Sequence, residues 1–225
     1  MKPRVTIIAA LPRELQALVQ GWRRSRDAAN ACDVFEQDHA VAVCAGMGAS
    51  RARYAAQRAA ATGPLAGIIS AGYAGALRNS IARETVHWAA CVVDGATGEQ
   101  FPTEDSGPGL LTVDHVLSVP EKAAAGQRYD AGLVDMEAAA VASVAQSLGV
   151  PFRAVKAVTD CVDDALPDVS AFVGRQGEFL EHRYVRHLLL HPWLMPQAMQ
   201  MGRRSAVCSR LLAQELERAI ARSRE

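Results

Sequence analysis

No run of roughly eighteen consecutive apolar residues occurs in this chain, which removes a membrane-spanning helix from consideration. Met1-Lys2-Pro3-Arg4 leads into only a short apolar segment, so no secretion signal is expected and the cytoplasm is the expected compartment. Net charge is missing too, because 24 basic and 24 acidic side chains cancel. Without excess positive charge there is no overall basic surface to hold nucleic acid, and none is expected as a partner. Cys32, Cys44, Cys91, Cys161 and Cys208 are odd in number, form no C-x-x-C pair and have no closely spaced histidines. They read as reduced, buried thiols, which argues against structural zinc or a catalytic cysteine. No Walker loop is present, so nucleoside triphosphate chemistry has no support. Nothing repeats at a fixed period, and no low-complexity linker divides the chain.

What the chain has is length and apolar content: 225 residues, 50% of them hydrophobic, rich in alanine and with only 5% aromatics. That is enough for one well-buried domain, or at most two small ones. Short apolar runs alternate with longer alanine-rich, arginine-spotted stretches, the pattern of strands alternating with helices. Val5 to Ala10, Val41 to Cys44 and Ala66 to Ser70 read as buried strands. A helix is expected to begin at Leu11-Pro12-Arg13-Glu14, with proline in the first turn, and another runs from about Arg51 to Ala61. The third strand is expected to end in the glycine-punctuated turn Gly72-Tyr73-Ala74-Gly75. Val86 to Val93 and Leu110 to Val113 look strand-like. Asp135 to Leu148 reads as a helix ended by Gly149 and Pro151, and Phe152 to Val158 as a strand delivering Thr159-Asp160. This is an α/β fold with a largely parallel sheet, whose ligands sit beyond the carboxyl ends of the strands. Glu14, Gly46 to Gly48, Gly72 to Gly75, Glu137 and Asp160 all fall at such ends.

Gly46-Met47-Gly48 lacks the third glycine of a dinucleotide fingerprint, since Arg51 stands in its place. It is either a plain strand-to-helix turn or one whose backbone N–H groups face an anion or a sugar hydroxyl. The segments Val134 to Ala142 and Val155 to Asp160 set two carboxylates among apolar residues, where burial is costly. Glu137 and Asp160 are then either an acid at a helix N-terminus and a cap, or functional groups.

Val134-Asp135-Met136-Glu137-Ala138-Ala139-Ala140-Val141, Pro151 to Asp160, Ile68 to Ala76 and Ile7 to Glu14 together resemble the purine and uridine phosphorylase superfamily. The branch with methylthioadenosine/S-adenosylhomocysteine nucleosidase is the nearest well-understood one, and the resemblance covers roughly residues 5 to 165. It implies a three-layer nucleoside phosphorylase fold, a mixed and mostly parallel central sheet flanked by helices. It also implies cofactor-free cleavage of an N-glycosidic bond through an oxocarbenium-like sugar. Asp160 matches the general acid that protonates or hydrogen-bonds N7 of a purine, and must carry a proton to do so. Glu137 matches the carboxylate that accepts hydrogen bonds from the ribose hydroxyls, with Met136 against the sugar face. Glu14 matches the water-activating glutamate of the nucleosidases. Glu14 and Ser70 stand where phosphorylases place arginines for phosphate, so hydrolysis is expected before phosphorolysis, although Arg13 could reach an anion. Lys156 stands where the nucleosidases have arginine, and Tyr73 where they have a small hydroxyl residue. The aromatic that stacks on the base maps near Val116 and Leu117, neither of which is aromatic. Gly48, Gly72 and Thr159 complete the expected substrate-binding set.

From Tyr184 to Gly202-Arg203-Arg204 the chain continues where the nucleosidases end in a simple amphipathic helix. This tail resembles the hopanoid-associated phosphorylases, which implies adenosylhopane as the favoured 5′-substituted adenosine and adenine as the product. An apolar stretch with Trp193, methionines and flanking arginines either lines a lipid channel or lies at a membrane interface, or forms a pair of helices packed on the core or on a second subunit. His182, His187 and His191 are assigned to packing or caps, and no metal is expected. A single domain over residues 1–225 is expected, with 166–225 a helical extension packed on it. The resemblance further implies a homo-oligomer. The rival readings are a phosphate-dependent purine nucleoside phosphorylase and a purine-binding sensor without catalysis.

Overall fold

The structure, a computed structural model, describes residues 2–165, 170–172, 174, 177 and 179–223, without the side chains of residues 170, 181 and 185. The expected start of the C-terminal extension at residue 166 lies outside the described residues. Strands β1 (Arg4–Ala9), β4 (Ala40–Cys44), β5 (Leu65–Ala76) and β11 (Phe152–Asp160) form the centre of the sheet, with β4–β1, β1–β5 and β5–β11 all parallel. On one side β2 (Arg23–Asp27) and β3 (Cys32–Gln37) extend the sheet as an antiparallel hairpin. Beyond β5 lie β10 (Leu133–Asp135), β9 (Leu110–Thr112), β7 (Cys91–Asp94) and β8 (Gln100–Pro102), while β6 (Val86–Trp88) pairs antiparallel with β11. The sheet is therefore mixed, with its parallel strands at the core.

Alternation along β1 explains the layers. Ile7 faces the side covered by α5 (Met195–Arg222), and Ile8 faces the side covered by α1 (Ala49–Ala60) and α3 (Ala138–Leu148). Adjacent residues of a strand point to opposite faces, so one short apolar strand supports two cores. The abundant alanine has a use here: Ala52, Ala55, Ala56 and Ala59 of α1 lie in the same core as Ala140, Val141, Val144 and Ala145 of α3, where small side chains let two helices share one face of the sheet. On the other face Cys208, Leu212, Leu216 and Ile220 recur every fourth residue along α5 and are all buried. Each buried leucine of that stripe contributes about 2 kcal/mol by removal from water.

Several elements differ from the sequence expectations. The helix at Pro12 is a single 3-10 turn, Pro12–Glu14, because the Glu14 side chain turns back to accept the Ala10 and Leu11 backbone N–H groups at 2.9 Å each. The strand expected to stop before Gly72 runs on to Ala76, because both β11 and β10 pair with its far half. The helix expected from Asp135 begins at Ala138, because Leu133–Asp135 is strand β10, paired with β9. Its C-terminus is as expected, with Gly149 in the left-handed region at φ 65°. The hairpin β2–β3 and helix α2 (Val119–Arg128) had no reading in the sequence. Helix α2 starts at a capping box in which the Ser118 N–H donates to Glu121 at 2.8 Å.

Candidate active site

The long strand β5 changes neighbours along its length. It pairs with β1 up to Ser70 and with β10 only from Gly75, so one edge of the intervening segment has no strand beside it. Glu14 fills that gap: a Cβ built on Gly72 would lie 3.3 Å from Glu14 Oε1, so the carboxylate rests directly on the glycine backbone. Gly72 also has φ +151°, a value that side-chain-bearing residues rarely adopt. Burial raises the Glu14 pKa, while the Leu11 N–H, Lys156, Arg13 and the Tyr73 N–H pull it back.

Glu137 comes to the same place from the turn before α3. Its Oε1 accepts the Gly48 backbone N–H at 2.7 Å, and Oε2 accepts the Met136 N–H at 3.3 Å. The Gly46-Met47-Gly48 turn thus faces an anion, and the anion is the protein's own carboxylate. Both glycines have positive φ, 110° and 92°, which their missing Cβ permits. Burial and then the neighbouring Asp135 push the Glu137 pKa up to about 7, against Lys156 and the Gly48 N–H.

Lys156 supplies a positive charge that interacts with both carboxylates. Its Nζ donates to Asp135 Oδ2 at 2.8 Å and to Ser70 Oγ at 3.2 Å, in a fully buried position. Burial works against the ammonium, but Asp135, Glu137 and Glu14 outweigh it and its pKa lies above the ordinary lysine value. Asp135 also accepts from Thr112 Oγ1 at 2.7 Å and from the Ala138 N–H at 2.9 Å, which ties the cluster to the first turn of α3.

Asp160 belongs to a second cluster, at the end of β11. Its Oδ2 accepts from Lys122 Nζ at 2.5 Å and its Oδ1 from Thr159 Oγ1 at 2.8 Å. Lys122, on α2, is only 1% exposed and spends its other hydrogen bonds on the Cys161 and Asp164 carbonyls at 3.0 and 3.1 Å. Among the described residues no hydrogen bond or ion pair joins Asp160 to Glu14, Glu137 or Lys156; the paired strands β5 and β11 join the two clusters. A proton on Asp160 is what the family resemblance implies; in this structure both of its oxygens act as acceptors.

The remaining expected residues divide. Tyr73 lies beside Glu14 and donates its hydroxyl to the Ser205 carbonyl of α5 at 2.8 Å; burial and then Glu14 raise its pKa. Met136 is half-buried between Asp135 and Glu137. Leu117 is taken into a core cluster with Leu77, Leu111 and Val134, whereas Val116 is 51% exposed on the surface. Their mapping as a base platform finds no support: one side chain is spent on the core and the other faces solvent. A cavity of about 970 Å³ lies beside Tyr73, lined also by Arg13, Met47, Tyr184, Ala198 and Met201. Arg13 stacks over the Phe179 ring at 4.7 Å. The cysteines are free; Cys32, Cys44 and Cys208 are buried, Cys91 and Cys161 partly so. His187 and His191 stack with ring centroids 4.2 Å apart. Among the described residues no group of three His, Cys, Asp or Glu side chains could hold a metal.

Sequence reasoning passed over Asp135 and Lys122. Asp135 lay in the quoted motif. For Lys122 there was a signal in composition: the chain has only three lysines, at positions 2, 122 and 156, all its other Lys and Arg residues being arginine. Two of those three are fully buried.

A model of the Phosphorylase superfamily matches residues 91–183 of this chain. No curated protein matches it. Among solved structures, the 5′-methylthioadenosine nucleosidase of Arabidopsis thaliana in apo form is similar at 20% identity and TM-score 0.73, covering 98% of this chain and 96% of that one. The futalosine hydrolase of Helicobacter pylori strain 26695 is similar at 14% identity and TM-score 0.70, covering 96% of both chains. A mutant of the nucleosidase MTAN of Helicobacter pylori, with 5′-methylthioadenosine in the active site, is similar at 13% identity and TM-score 0.72, covering 98% of this chain and 99% of that one. The chain has the three-layer nucleoside phosphorylase fold. Over residues 91–183 it also carries the sequence pattern of the Phosphorylase superfamily.

Proposed function

We propose that this protein is a nucleosidase that hydrolyses the N-glycosidic bond of a 5′-substituted adenosine and releases adenine. The observation that carries the reading is the pair of buried carboxylates Glu14 and Glu137, both of which interact with the charge of the buried Lys156. Glu137 accepts hydrogen bonds from the ribose hydroxyls and stabilises the sugar as it gains positive charge, with Met136 against the sugar face. Glu14, with its raised pKa, takes the proton of the attacking water. Asp160, with Thr159 beside it, meets the departing base.

Water suits this site better than phosphate. Glu14, Glu137 and Asp135 surround a single ammonium, and Ser70 supplies no charge, so a phosphate dianion entering the gap meets more negative than positive charge. The 970 Å³ cavity beside Tyr73, with Met47, Ala198 and Met201 in its walls, offers mainly apolar room for a 5′ substituent. A lipid-linked nucleoside such as adenosylhopane fits that chemistry. On α4 (Glu181–Leu190), the 3-10 turn Pro192–Leu194 and the start of α5, the exposed Leu189, Leu190, Trp193, Met195 and Met199 suit contact with a membrane surface, and Arg183, Arg186 and Arg203 supply positive charge nearby. We further propose that residues 1–225 form one domain, cytoplasmic and homo-oligomeric.

The test is product analysis with 5′-methylthioadenosine and with adenosines bearing long apolar 5′ groups, each with and without phosphate. Adenine and free sugar without phosphate are expected, with higher kcat/KM for the apolar groups. Phosphate-dependent release of a sugar 1-phosphate would establish a phosphorylase instead, and binding without turnover a sensor. Asp160→Asn is expected to abolish adenine release, and Glu14→Gln to abolish hydrolysis while sparing substrate binding.

A further inference from the structure

A leaving purine needs a proton, and the carboxylate placed to give one has an ammonium on it. Lys122 lies 2.5 Å from Asp160 Oδ2, reaches it across 38 positions of sequence, and is sealed from solvent. The choice of residue is informative. A chain that uses arginine almost everywhere places lysine at this interior point, and of the two only lysine can release a proton under ordinary conditions. Three acceptors, Asp160 and the Cys161 and Asp164 carbonyls, aim the ammonium, so one of its N–H bonds is directed at the carboxylate.

We propose that Lys122 is the proton source behind Asp160, a positioning residue that acts through it; the inference rests on the nucleosidase reading above. As the bond between the sugar and the purine breaks, its electron pair stays on the base. An N–H bond of Lys122 breaks, its proton crosses to Asp160, and Asp160 passes a proton to a ring nitrogen of the base. Asp160 begins and ends the step as a carboxylate. Lys122 is left as an amine and regains a proton from solvent once the products leave.

The decisive comparison is Lys122→Arg against the wild type on two substrates. One is 5′-methylthioadenosine, whose base needs a proton. The other is p-nitrophenyl riboside, whose phenolate leaves without one. Lys122→Arg keeps the ion pair but not the transferable proton. It is expected to lower kcat on the adenosine at least about 100-fold, with KM little changed, and to leave cleavage of the phenyl riboside intact. Equal loss on both substrates, or loss on neither, overturns the inference. If Lys122→Arg does not fold, Lys122→Gln, which keeps a hydrogen-bond donor but has no proton to give, is compared on the same two substrates. The same selective loss on the adenosine is expected; equal loss on both substrates, or loss on neither, overturns the inference. A wild type inert towards both substrates overturns the nucleosidase reading and this inference with it, whereas a Lys122→Arg protein as fast as wild type overturns this inference alone.

Discussion

Glu137 shows how a single side chain can couple activity and stability to pH in opposite directions. Its carboxyl titrates at about 7, because burial and Asp135 disfavour the charge. The proposed role needs the anion, so kcat/KM for 5′-methylthioadenosine should rise as pH increases through about 7, and Glu137→Gln should lose both the rate and that limb of the profile. Stability runs the other way. A carboxyl whose folded pKa is raised contributes stability that is fully present below its unfolded value and is lost as pH rises through the folded one. Glu137→Gln should therefore melt higher than wild type at pH 8 and show no such gain at pH 4, with the difference at pH 8 on the order of 2 kcal/mol. Thermal melts at the two pH values check the sign. Identical melting shifts at both would mean that the charge is not held at a cost.

The elements owe their placement to what glycine leaves out. At Gly75 a built Cβ would stand 2.7 Å from Asp160 Oδ2 and 3.3 Å from Val134 Cγ1. Asp160 cannot withdraw freely, since Lys122 and Thr159 both hold it. Gly75→Ala should thus cost about 1–3 kcal/mol from overpacking and displace Asp160 from its partner. Adenine release should slow at least about tenfold if the leaving base depends on that carboxylate. Gly202→Ala, in α5 where a Cβ meets nothing within 4 Å, should by contrast gain about 0.5–1 kcal/mol of helix stability. Denaturant unfolding and initial rates on the two variants separate these effects. Helix α5 itself is fastened to the sheet by its buried stripe, by Tyr73 to Ser205 and by Trp88 Nε1 donating to Glu215 at 3.1 Å. Its C-terminal half belongs to the core, while its first turns, with Met195 and Met199, are largely exposed.

Among the described residues of the whole molecule, the exposed large apolar side chains lie mainly on that tail. Leu189 is 70% and Trp193 69% exposed, and no helix among the described residues is long and apolar enough to cross a membrane. Contact with a membrane surface would therefore be shallow. Binding to vesicles containing phosphatidylglycerol should be measurable by co-sedimentation and should weaken with salt. Leu190→Ser combined with Trp193→Ser should reduce binding at least about tenfold, the loss of roughly 1.4 kcal/mol or more of buried apolar contact. Binding that is unaffected by the double substitution would assign the patch to another partner.

Much of this architecture was legible because it is written at short range. Apolar runs of strand length, alanine-rich helices and the Gly149 stop follow from local period and backbone preference, and Glu137 and Asp160 stand out as carboxylates in apolar surroundings. The amino-acid order alone determined the strand-helix alternation and the layers it builds. Only the tertiary structure decided which charges face one another. Lys156 meets Asp135 because β11 and β10 flank the same strand, and Lys122 meets Asp160 because α2, which connects the β9 and β10 segments, lies beside the end of β11. Such pairings depend on packing between distant segments, and a buried ammonium cannot be told from a solvated one until the fold has closed around it.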